Sequence, residues 1–88
     1  MQKFTFTIQD DAGIHARPAG LLVKEAEKFL SDIEIEVVGK NDKKANAKRL
    51  FALMGLCAAK GDTVKVIISG EDEEEAAENI KRFLEENL

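Results

Sequence analysis

Apolar and polar residues alternate strictly in three stretches of this chain. Phe4, Phe6 and Ile8 alternate with Thr5 and Thr7, and Ile33, Ile35 and Val37 alternate with Glu34 and Glu36. Val64, Val66 and Ile68 repeat the same period after a turn at Gly61-Asp62. A period of two predicts strands with one buried and one wet face. After a turn at Gly39-Lys40-Asn41-Asp42, residues 43–47 are expected to form a short edge strand whose lysines discourage further pairing. Elsewhere the period is helical. Leu22, Val23, Ala26, Phe29 and Leu30 mark a first helix from Ala19 onward, and a short, nearly all-apolar helix is expected from about Lys48 to Met54. Ala76, Ile80, Phe83, Leu84 and Asn87 mark the last, and Asp72 with Glu75 predicts a capping box that also complements its dipole. The order β-α-β-β-α-β-α predicts an α+β fold, a two-layer open-faced β-sandwich. Its four-stranded antiparallel sheet is expected to be covered on one face by three helices.

At 88 residues and 44% apolar content, the chain can build a modest core, and one domain over residues 1–88 is expected. A single cysteine excludes a disulfide framework; Cys57, in the apolar run Leu56-Cys57-Ala58-Ala59, is expected to be a small buried hydrophobe. No export signal or membrane-length apolar run is found, so a cytoplasmic protein without membrane insertion is expected. A net charge of −4 argues against nucleic acid as a partner. One histidine and one cysteine cannot build an ordinary zinc quartet, and phosphate-cradling glycine loops and nucleophilic triads are also missing, so no metal or cofactor is expected.

The chemistry concentrates in Gly13-Ile14-His15-Ala16-Arg17-Pro18. Proline is tolerated in a helix only in its first turn, which puts His15 just ahead of the first helix. Free backbone N–H groups and the positive end of the dipole make such a place an anion site, and Arg17 can add a bidentate fork for phosphate oxygens. Neutral imidazole is a nucleophile near pH 7, so one ring could both accept and pass on a phosphoryl group. Spacing alone leaves open the plainer alternative, a histidine that merely caps the helix or lies on the surface.

This stretch resembles the active-site signature of HPr, the histidine-containing phosphocarrier protein of the bacterial sugar phosphotransferase system. Gly13, Ile14, His15, Arg17, Pro18 and Ala19 all match it. The likeness continues through Asn46-Ala47-Lys48-Arg49-Leu50-Phe51, Ala59-Lys60-Gly61 and Gly70-Glu71-Asp72-Glu73, and so spans essentially the whole chain. The resemblance implies a phosphocarrier rather than a stand-alone enzyme. His15 would take a phosphoryl group on Nδ1 from phosphorylated enzyme I and pass it to enzyme IIA domains, while Arg17 and nearby amides hold its oxygens. A regulatory protein-binding module with the same fold is the alternative, although a pure binder needs neither His15 nor Arg17. An autonomous phosphatase or mutase would need a further base or metal cluster.

Partner docking has its own candidates. Leu21, Lys24 and Lys28 lie opposite the apolar stripe of the first helix, and a short helix apolar all round cannot bury Leu50, Phe51 and Met54 together. An apolar anchor rimmed by Lys and Arg suits transient recognition of acidic partners by a monomer. In HPr the matching surfaces dock on enzyme I and enzyme IIA. Two departures stand out. Arg49 occupies the position of the regulatory serine found in many HPr proteins of low-GC Gram-positive bacteria, which puts seryl control in doubt. The stretch 39–46 is about three residues longer than usual, with the extra length expected in the turn from Asn41 to Lys44.

Overall fold

The structure, a computed structural model, describes residues 1–40 and 43–88. Its elements are β1 (Gln2–Thr7), α1 (Ala16–Ala26), β2 (Asp32–Val37), β3 (Lys44–Asn46), α2 (Leu50–Gly55), β4 (Thr63–Ser69) and α3 (Glu73–Asn87). The four strands form one antiparallel sheet in the order β1-β4-β2-β3. Phe4, Val66, Ile35 and Ala45 lie in one register row across all four strands and face the helices. The neighbouring row, Thr5, Lys65, Glu36 and Lys44, faces outward and sets Glu36 between two lysines. Leu22 and Ala26 of α1, Leu53 of α2, and Ala76, Ile80 and Leu84 of α3 complete the core above the inner rows. The alternation seen in the sequence is therefore the two faces of this sheet. Asn41 and Asp42, in the turn where extra length was expected, lie outside the described residues.

Tertiary hydrogen bonds set several helix ends differently from the sequence expectations. α1 stops at Ala26, so Phe29 is buried beyond the helix and Leu30 is 79% exposed, not part of the buried stripe. The chain leaves the helix because partners from elsewhere take its backbone groups. Lys48 Nζ donates to the Phe29 carbonyl at 2.9 Å, and the Leu30 and Ser31 amides donate to Asp72 at 2.8 and 2.9 Å. α2 starts at Leu50 rather than Lys48, because Asn46 Oδ1 accepts the Lys48 amide at 2.9 Å and holds a turn there. The capping box is also different. Asp72 is the N-cap residue of α3 but makes no cap bond; its carboxylate serves the α1–β2 connection, and Glu73 Oε1 accepts the Gly70 amide at 3.2 Å. Glu73, Glu74 and Glu75 do occupy the first turn, where the helix dipole favours acids. Cys57 is exposed rather than buried: with φ at 52° it is the turn between buried Leu56 and Ala58, and the left-handed backbone directs its side chain outward.

Candidate functional site

His15 is the N-cap residue of α1, with extended dihedrals (φ −112°, ψ −177°), and its carbonyl accepts the Ala19 amide at 3.0 Å. Pro18 sits in the first turn and has no N–H. Ala16 and Arg17 therefore carry the two first-turn amides that no protein acceptor takes among the described residues. Both lie directly after the imidazole, at the positive end of the dipole.

The connection from β1 to α1 fixes where the ring stands. The Ile14 amide donates to the Ala58 carbonyl at 3.0 Å, whereas the Asp11–Lys60 pair at 2.9 Å lies in solvent, with Asp11 91% exposed, and adds little to this hold. Gly13 has φ at 67°, and a Cβ there would lie 2.2 Å from the Ala58 oxygen. No other residue fits without moving the loop that follows α2. On the other side, the Asp10 amide donates to a Leu88 oxygen at 2.8 Å, which ties the connection to the end of α3.

His15, Arg17 and Leu21 line one open depression of about 280 Å³, together with Pro18, Asp10, Glu86 and Asn87. The imidazole is 43% exposed, with Nε2 at 3.9 Å from Asp10 Oδ1. Arg17 is exposed and has no carboxylate within ion-pair distance among the described residues, so its guanidinium is available to an incoming anion. Two free amides, one guanidinium and an accessible imidazole form a place that can hold a phosphate beside a nucleophile. Asp10, Glu86 and Asn87 were not legible as neighbours. Glu86 and Asn87 arrive from the far end of the chain, and Asp10 is placed by a connection whose path depends on Ala58 and Leu88.

The other expected residues divide. Leu21 and Lys24 are exposed on α1. Lys28 is exposed but lies beyond the end of α1 and pairs with Glu25 at 2.7 Å, so the basic stripe is shorter than expected. On α2, Phe51 is 84% exposed and Met54 is exposed, while Leu50 packs half-buried against the core and Leu53 is fully buried. Among the described residues no helix is long and apolar enough to cross a membrane.

The family model for the PTS HPr component phosphorylation site matches residues 2–86. Phosphocarrier protein HPr of Mycoplasma genitalium is 42% identical over 87 residues, covering 99% of this chain and 97% of the relative. HPr-like protein Crh of Bacillus subtilis is 43% identical over 76 residues, 86% of each chain. Among solved structures, HPr-C-His from Thermoanaerobacter tengcongensis superposes with a TM-score of 0.86 at 41% identity, covering 97% of this chain and 92% of its own. With its match over nearly the full length and its four-stranded sheet and three helices in common with those structures, the chain belongs to the HPr family of phosphocarriers of the phosphotransferase system.

Proposed function

We propose that His15 is the phosphoryl acceptor and that this protein relays the group from phosphorylated enzyme I to enzyme IIA domains during sugar uptake. The observation that carries this reading is the exposed imidazole at the head of α1, followed at once by two unpaired amides and flanked by Arg17. In transfer, the Nδ1 lone pair forms the new N–P bond while the donor's N–P bond breaks and returns its electron pair to the donor imidazole. The Ala16 and Arg17 amides and the Arg17 guanidinium compensate charge on the equatorial oxygens. Such a reaction needs alignment and charge compensation more than covalent machinery. Leu21, Lys24, Lys28, Leu50, Phe51 and Met54 form the docking surface for both partners, and the carrier works as a monomer.

A second reading, a regulatory module of the same fold, is favoured by the likeness to Crh, one of whose structures is described as a catabolite repression HPr. His15 and Arg17 weigh against it, because a protein that only docks has no use for either. Incubation with enzyme I and phosphoenolpyruvate separates the two. The relay adds one acid-labile phosphate that His15→Ala abolishes; a regulatory module takes none.

A further inference from the structure

Among the described residues, Asp10 is the carboxylate that stands within 4 Å of a His15 ring nitrogen, and several hydrogen bonds hold it there. Its Oδ1 accepts the Ala12 amide at 2.8 Å, its carbonyl accepts the Gly13 amide at 3.0 Å, and its own amide donates to Leu88. The same Oδ1 stands 3.9 Å from Nε2 of His15. An ionised carboxylate only accepts hydrogen bonds, so the ring nitrogen facing it is favoured as the one that bears hydrogen. A neutral imidazole has one N–H and one lone pair, and whichever nitrogen is held as donor fixes the other as nucleophile. Contacts of this kind are often long in a resting site and tighten only in the reacting complex.

We propose that Asp10 is a positioning residue, holding the proton on Nε2 and thereby presenting Nδ1 with its lone pair to the incoming phosphorus. The proposal rests on the reading of His15 as the acceptor. As Nδ1 forms its bond to phosphorus, the ring keeps the Nε2 proton and becomes an imidazolium, whose positive charge Asp10 faces. When the group moves on, the N–P bond breaks, its electron pair returns to Nδ1, and the ring is neutral again with the same proton in place. Asp10 thus accounts for both the choice of nitrogen and the stabilisation of the charged intermediate form, through the same oxygen that closes its own turn.

The test is the tautomer of His15 in the protein alone, read from two-bond proton–nitrogen correlation spectra of the neutral ring. Wild type is expected to be mainly Nε2–H. Asp10→Asn keeps the oxygen that accepts the Ala12 amide and faces Nε2 but removes its negative charge, and should shift the population toward Nδ1–H. The rate of phosphorylation by enzyme I should fall roughly tenfold, the size of effect expected on loss of a group that orients another. Asp11→Asn, which removes the same charge one residue away, should leave tautomer and rate as in wild type. An unchanged tautomer ratio in Asp10→Asn overturns the proposal, and so does an equal change in Asp11→Asn, which would trace the effect to the loop and not the carboxylate. Phosphate acceptance by His15→Ala would sink the acceptor reading instead, with the tautomer result standing on its own.

Discussion

The carboxylate of Asp72, at the head of α3, accepts the hydroxyl of Ser31 at 2.5 Å and its amide at 2.9 Å, joining two connections 41 residues apart in the chain. The Leu30 amide adds a third bond at 2.8 Å. Ser31 is fully buried, and Gly70 passes so close that a Cβ there would lie 2.6 Å from the Ser31 Cα. Hydrogen bonding, from the Ser31 hydroxyl first and the Leu30 amide next, holds the Asp72 carboxyl below the usual carboxylate range. A carboxyl depressed on folding stabilises above its unfolded pKa and loses that contribution as pH falls through the folded one. Asp72→Asn should therefore lower the melting temperature at neutral pH and flatten its acid dependence. Thermal melts from neutral pH into strong acid check this; parallel curves for the two proteins would contradict it.

Gly13→Ala tests how the β1–α1 connection supports the site. The new Cβ meets the Ala58 carbonyl in a left-handed conformation, so a loss of about 1–3 kcal/mol is expected in chemical denaturation. A stability equal to wild type would mean the approach of these two loops is not held in solution.

Arg17→Lys keeps the charge but replaces a planar fork with a point charge. Folding should be unaffected, since Arg17 is exposed. Phosphoryl transfer should slow by roughly 30- to 1,000-fold, or about 2–4 kcal/mol, the usual cost of one charge-assisted contact at a transferring group. Single-turnover rates with phosphorylated enzyme I give the answer; a rate like wild type would leave Arg17 as a surface cation only.

Docking and stability are expected to separate on α2, where Phe51 is exposed and Leu53 is buried. Phe51→Ala should weaken enzyme I binding by about 1–3 kcal/mol and leave the melting temperature alone, because the ring is 84% exposed. Leu53→Ala, two residues on and fully buried, should cost about 2–5 kcal/mol of stability. Lys24→Glu should slow association and flatten its dependence on salt. Association kinetics at two ionic strengths, with melts alongside, measure all three variants; a Phe51→Ala protein that melts early would place that ring in the core.

Strand alternation was readable because each strand has a wet face, as the Phe4–Val66–Ile35–Ala45 row and the Thr5–Lys65–Glu36–Lys44 row show directly. The head of α1 was readable for a local reason too, since Pro18 restricts where a helix can begin. What escaped the sequence depends on distant partners. Nothing near Ala26 ends a helix by itself; Lys48 and Asp72 do so from 19 and 41 or more residues away. Cys57 reads as apolar filler until its left-handed backbone turns it outward. Asp10, Glu86 and Asn87 meet His15 only after the sheet and α3 have folded.

The relay itself is tested most directly by its second half. The phosphorylated protein, freed of enzyme I and phosphoenolpyruvate, is mixed with an unphosphorylated enzyme IIA domain, and the label is followed on both. Loss of phosphate from His15 matched by gain on the enzyme IIA domain is the predicted result. Phosphate that stays on His15, or leaves only as inorganic phosphate, would contradict it.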